Sequence, residues 1–184
     1  KRLVNQLLSQ SSLKGKLTDK FIQEEFDWIT NNDIKDRNEY LDTARTGRKR
    51  PLQPSMSDEV YKLYSSYRSL LDQQGKTDWP GFALKFLNEL RSGAVRLQPY
   101  DAIFIDEAQF FVPDWFNCIR YALKEEGQLF MAADPTQGFL GSGQSWQQVS
   151  GLNIRGKSHT LSRPYRNTQE IISFAARFYK SRIA

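Results

Sequence analysis

The chain has 184 residues, 39% of them hydrophobic, which is enough for one medium core or two small ones. It carries 26 Lys and Arg against 21 Asp and Glu, a net charge of +5 with pI near 9.3, and that excess permits an anionic partner without demanding one. The sole cysteine, Cys118, excludes an intrachain disulfide, and with one histidine, His159, no Cys/His zinc site can be assembled. No apolar run is long enough for a membrane span and no signal peptide is visible, so the expected location is cytoplasmic, with no membrane partner. The sequence opens on Lys1 rather than methionine and stops at Ala184 directly after a helical pattern, so a longer parent protein is expected.

Residues 1–97 read as helical and irregular. Phe21, Ile22, Phe26 and Ile29 recur at helical spacing, with Gln23, Glu24, Glu25 and Asp27 filling much of the polar side. Arg45, Arg48, Lys49 and Arg50 then fall within six residues ahead of Pro51, a loop pattern. Such closely spaced cations can displace counterions from a nucleic-acid backbone, or can be a solvated basic turn. Ser57 is expected to cap the next helix, with Val60, Leu63, Tyr64, Tyr67, Leu70 and Leu71 as its buried stripe and Gly75 at its end. Asp78-Trp79-Pro80 opens another helix with Phe82, Phe86, Leu87 and Leu90 inward, closed by Gly93.

Beyond Pro99 the pattern alternates strand and helix. Ala102–Ile105 is too short for a helix face and reads as a buried strand of a parallel sheet. It runs straight into Asp106 and Glu107. Ligands of open α/β sheets sit beyond the carboxyl ends of the strands. Asp106 there can hold a metal while Glu107 orients or deprotonates a water attacking a phosphate, or both can be solvated acids in a turn. A helix over Pro113–Leu123, closed by Gly127, leads to a second buried strand over Leu129–Ala133, which makes a βαβ unit.

The second strand also ends in polar chemistry, Asp134-Pro135-Thr136-Gln137. Gln137 can bond both a terminal phosphate and a water. In the glycine-rich segment that follows, Phe139 and Trp146 are candidate stacking surfaces for single-stranded bases, or Trp146 simply packs beneath the loop. Tyr165 and Arg166 precede a last helix capped by Asn167 and Glu170, and can point at a ligand. An arginine so placed can neutralise a transferring phosphoryl group, or pair with a nearby acid.

Taken together, Asp106-Glu107-Ala108-Gln109, Ala133-Asp134-Pro135-Thr136-Gln137 and Leu161 through Tyr165-Arg166-Asn167-Thr168 resemble, in order, motifs II, III and IV of UvrD/Rep-like superfamily 1 DNA helicases. The DEAH-type helicases share the paired acids, but Ser-Ala-Thr is expected where Asp134 to Gln137 stand. The resemblance implies an α/β chain: a partial RecA-like (P-loop NTPase) parallel sheet with an N-terminal, mainly α-helical insert. Its boundaries are residues 1–97 for the insert, 98–162 for part of the first RecA-like lobe and 163–184 for the start of the second. It also implies an ATP-dependent, 3′ to 5′ helicase as parent, with ATP and Mg2+ as cofactors and single-stranded DNA or a duplex junction as partner.

Residue by residue, the resemblance makes Asp106 the Mg2+ ligand and Glu107 the water-activating group beside it. It makes Gln137 the γ-phosphate sensor, Arg166 the arginine finger, Tyr165 the base-stacking ring and Trp146 a DNA contact. Ala133 and Pro164 replace the family's more usual Gly and Asn, and the loop before Trp146 is longer than usual. No G-x-x-x-x-G-K-[ST] occurs in the chain, so these residues alone are expected to be inactive, with the P-loop in an upstream segment. The alternative class is a non-catalytic nucleic-acid-binding module derived from such an enzyme.

Overall fold

The computed structural model describes residues 2–45, 48, 51–134, 136–138, 144–161 and 165–183, the side chains of 178–183 excepted. It divides into two units, Lys1–Leu152 and Asn153–Ala184.

The first unit begins with helices. Helix α1 (Arg2–Ser9) buries Val4 and Leu8. Helix α2 (Asp19–Asn31) starts where the Thr18 hydroxyl accepts the Phe21 amide, with Asp19 in the first turn to suit the helix dipole. It buries Ile22, Phe26 and Ile29 at the expected spacing. Glu25, expected on the polar side, is fully buried as well. A short helix α3 (Arg37–Asp42), capped by Asp36, buries Tyr40.

Helix α4 (Pro54–Gln73) starts four residues earlier than the Ser57 cap predicts, with Gln53 at the cap position. Pro54 sits in its first turn, where a missing N–H costs nothing, and Ser57 is buried inside the helix instead of capping it. Val60, Leu63, Tyr64, Tyr67 and Leu71 face inward. Phe26 packs on Tyr64 and Tyr67 with ring centroids 5.5 and 5.1 Å apart, so those aromatics are core. Helix α5 (Trp79–Ser92) is capped by Asp78, which accepts the Gly81 amide at 2.8 Å, and ends at Gly93 in a left-handed conformation (φ 76°). Leu87 and Leu90 are buried, but Phe82, predicted inward, stacks on Trp79 at the surface.

Strand β1 (Tyr100–Ile105), helix α6 (Pro113–Ala122) and strand β2 (Leu123–Met131) form a parallel β-α-β unit, with Ile103 opposite Leu129 and Ile105 opposite Met131. Gly127 does not close α6; the chain turns extended at Leu123. Between the pairs Tyr100–Leu123 and Ala102–Gln128 the register slips, so residues 124–127 bulge from the ladder, and Gly127 lies in that bulge under the Leu123 side chain. A 3-10 turn (Ala108–Phe110) links β1 to α6.

One face of this two-stranded sheet is covered. Ile105, Ala108, Phe116 and Val149 are buried there, with Ile103, Ile119, Leu129, Met131 and Trp146 packed against them. The other face is open: Phe104 and Phe130 are 77% and 67% exposed. The strands predicted as buried are therefore half-covered, because the sheet has no layer on its second side among the described residues. Helix α7 (Trp146–Ser150), opened by a Ser145–Gln148 capping box and ended at Gly151, completes the covered side. The second unit contains helix α8 (Gln169–Ile183). Among the described residues, no helix is long and apolar enough to cross a membrane.

Candidate functional site

The two strand tips are laced together. The Ala132 amide donates to the Ile105 carbonyl at 2.8 Å, and the Ala108 amide donates to the Ala132 carbonyl at 2.9 Å. Asp106 and Glu107 emerge between these bonds and are exposed. Asp106 turns Oδ1 back to accept the Glu107 amide at 2.9 Å. Glu107 holds φ at 51°, a left-handed conformation that a side chain with a Cβ rarely adopts. Strain of this kind persists only where surrounding contacts impose it, and it concentrates at ligand sites.

Gln109 supplies that contact. It is 1% exposed, and its side-chain amide faces two ways. Nε2 donates to Glu107 Oε2 at 2.5 Å, while Oε1 accepts the Asp134 amide at 3.1 Å. Asp134 in turn gathers the next loop. Its Oδ1 accepts the Thr136 amide (2.8 Å) and hydroxyl (2.6 Å), and its Oδ2 accepts Gln137 Nε2 at 2.6 Å. Hydrogen bonds from the Thr136 side chain, the Thr136 backbone and Gln137, in that order, hold the Asp134 carboxyl below the usual carboxylate range. Gly138 closes the turn at φ 53°, and a Cβ there would overlap the Gln109 carbonyl oxygen.

An unbroken hydrogen-bonded line therefore runs Glu107–Gln109–Asp134–Gln137 across the carboxyl end of the sheet. Sequence reasoning singled out its two ends and missed Gln109 as the link. The available signal was a polar residue set between Ala108 and Phe110, in a segment otherwise apolar up to Pro113.

Among the described residues, no cluster of three or more His, Cys, Asp or Glu side chains is placed to hold a metal. Mg2+, however, commonly takes only one or two protein carboxylates and completes its shell with water and phosphate oxygens. The exposed Asp106 carboxylate, one oxygen of which is engaged by the Glu107 amide, fits that requirement.

The other predicted site residues have different surroundings. Trp146 is half-buried and meets Phe116 edge-to-face, ring centroids 6.2 Å apart. Arg45 and Arg48 turn toward the buried Glu25: Arg45 Nη2 and Arg48 Nε each donate to its Oε2 at 3.0 Å. Their guanidinium groups also lie over the Trp28 and Phe21 rings. Lys49, Arg50 and Phe139 lie outside the described residues. Tyr165 and Arg166 belong to the second unit and are exposed there. Cys118 is half-buried on α6, and burial pushes its thiol pKa up, as for a packed and protonated thiol. His159 is exposed.

No family model, no curated protein and no solved structure matches the chain.

Proposed function

We propose that this chain is the central piece of an ATP-dependent DNA helicase or translocase, moving 3′ to 5′ on single-stranded DNA in the cytoplasm. Its β-α-β unit would belong to an incomplete RecA-like lobe. The observation that carries the reading is the line Glu107–Gln109–Asp134–Gln137, which joins two adjacent strand tips where α/β sheets bind nucleotides.

In this reading Asp106 holds Mg2+, which when bound offsets phosphate charge. Glu107 orients the hydrolytic water and accepts its proton, with one carboxylate oxygen fixed by Gln109 and the other turned to the ligand. Gln137 exchanges its bond to Asp134 for a phosphate oxygen, and so registers through the same line whether a terminal phosphate is present. Arg166 brings a guanidinium to the transferring group, Tyr165 stacks on the nucleotide base, and the exposed part of Trp146 meets a DNA base.

A P-loop is not among these 184 residues, so the proposal requires one from elsewhere in the parent, and these residues alone should not turn ATP over. That same feature favours a second reading, a non-catalytic module that binds single strands in a salt-sensitive, ATP-independent way. The deciding experiment is DNA-stimulated ATP hydrolysis by the natural open reading frame that contains this sequence. Glu107→Gln should keep nucleotide binding and lower turnover by about 100-fold or more. Parental turnover in that variant, or a frame with no P-loop lysine, would reject the motor.

A further inference from the structure

Away from the strand tips, α5 and α6 flank an open cavity of about 340 Å3 lined by Leu87, Arg91, Asn117, Arg120 and Tyr121. Two guanidinium groups and no carboxylate line it, so its chemistry suits an anion. Each guanidinium is anchored at one end. Arg91 donates from Nη1 to Asp33 at 2.6 Å and to Asn88 at 3.4 Å, while its Nε and Nη2 have no partner among the described residues. Arg120 donates from Nη1 to Asn117 at 3.2 Å and from Nη2 to the Ser150 carbonyl, and its Nε has no partner among the described residues.

The Nε–Nη2 edge of an arginine is a planar pair of donors that matches two oxygens of one phosphate. Anchoring Arg91 through Nη1 holds the side chain in place and leaves that edge available, so little rotamer entropy remains to be lost on binding. The Tyr121 ring, 45% exposed, and Leu87 give the same cavity an aromatic and apolar wall. A small inorganic anion has no use for such a wall. A nucleotide unit, with a flat base beside its phosphate, does.

We infer that the cavity between α5 and α6 binds a phosphate of a nucleic-acid strand, gripped by Arg91 and Arg120, with the neighbouring base against Tyr121. The inference rests on the reading that the chain acts on DNA, but it involves none of the residues assigned to ATP.

The test is binding of a fluorescein-labelled oligothymidine to the full chain across a range of KCl concentrations, without nucleotide, read by anisotropy. For a single strand, each neutralised phosphate contributes about −0.7 to the slope of log K against log salt. The Arg91→Gln, Arg120→Gln double variant should flatten the slope by about that amount and weaken binding several-fold, and neither single variant should flatten it by more. Arg91→Lys should keep the slope but lose affinity, because an ammonium cannot form the two-donor fork. Tyr121→Ala should weaken binding roughly 5- to 150-fold, the range of base stacking on an aromatic ring, and Tyr121→Phe should bind like the parent.

An unchanged slope in the Arg91→Gln, Arg120→Gln double variant, with an unfolding midpoint like the parent's, overturns the inference, as does a complete lack of oligonucleotide binding. Inorganic phosphate competing as well as the oligonucleotide at matched ionic strength overturns it in favour of a free-phosphate site. Loss of these salt-dependent effects is distinguishable from failure of the ATPase reading, which the Glu107→Gln turnover experiment reads separately.

Discussion

Gln109 Nε2 lies 2.5 Å from Glu107 Oε2, and this bond holds an exposed carboxylate in an unfavourable backbone conformation. The same side chain satisfies the Asp134 amide on the neighbouring strand tip. Replacing it with Leu, a residue of similar bulk, keeps the packing but removes both bonds and leaves polar groups facing an apolar side chain. Gln109→Leu should lower the unfolding free energy by about 1–3 kcal/mol, read by urea denaturation. A variant as stable as the parent would show that the link contributes nothing to holding the two tips.

Gly138 presses on that link from the other side. Its φ of 53° suits glycine, and a Cβ at that position would run into backbone at Gln109, which cannot swing aside as a flexible side chain would. Gly138→Ala should cost at least ~1–2 kcal/mol from the left-handed conformation alone, with the clash adding to it. Thermal unfolding reads the loss. In a Gln109→Ala background the overlap with the Gln109 carbonyl remains, so the penalty of Gly138→Ala should persist there.

The contrast between what the residues foretell and what they conceal follows the range of the interactions involved. Asp78, Gly93, Pro113 and a strand at 102–105 parallel to one through 129–131 are legible because each depends on neighbours a few positions away, or on a short apolar run. The second strand, by contrast, runs Leu123–Met131 and ends before the predicted Ala132 and Ala133. Glu25 is misread as solvent-facing because its partners lie 15 to 23 positions away, at Tyr40, Arg45 and Arg48. That distant pairing also turns two members of the basic run inward. Phe82 and Phe104 are misread for the opposite reason: hydrophobicity asks for burial, but only a packed neighbour supplies it. At the candidate site the acids were legible as a pair, whereas the Gln109 bridge depends on where β2 ends beside β1.

The Glu25 cluster makes a separate prediction. Burial alone would raise its pKa, but hydrogen bonds from Arg45 and Tyr40, with the Arg45 and Arg48 charges, outweigh that and leave it below the ordinary value of 4.5. A depressed folded pKa means that the stabilisation is fully present above about pH 4.5 and is lost as pH falls through the lower folded value. Glu25→Ala should cost about 3–5 kcal/mol at pH 7, because it leaves two guanidinium groups without their buried carboxylate. The stability gap between the parent and Glu25→Gln should narrow steadily as urea titrations are repeated below pH 4.5. A gap independent of pH would mean that the ionised carboxylate is not what stabilises the cluster.

Asp114 behaves in the opposite sense. It lies in the first turn of α6, fully buried, and neither carboxyl oxygen has a hydrogen-bond partner among the described residues. Burial, then the nearby Asp33 charge, pushes its pKa up from 3.8 to about 7, against the opposing pull of Arg91 and Lys35. A raised folded pKa on an acid means that the folded state holds its proton longer, so stability falls as pH rises from about 4 to 7. The helix N-terminus tempers this by favouring the anion. Asp114→Asn should therefore unfold with about 2–4 kcal/mol more free energy than the parent at pH 8 and with little difference at pH 4. Equal stability of the two proteins at pH 8 would show that the carboxyl finds a compensating partner.

Phe104 and Phe130 face each other across the two strands, ring centroids 5.7 Å apart, on the uncovered side of the sheet. Parallel sheets ordinarily have both faces covered, and a pair of strands alone is marginal in water. The open aromatic face is therefore a surface on which copies of this chain should associate, with the strand edges beside it, unpaired among the described residues, offering backbone groups for pairing. Because neither ring is buried, replacing both with Thr should change the unfolding free energy by only about 0.5–1.5 kcal/mol, the worth of the aromatic pair. The same double substitution should remove most concentration-dependent association in sedimentation velocity. If the substituted chain associates as strongly as the parent, the contact lies elsewhere and the open face is tolerated in water.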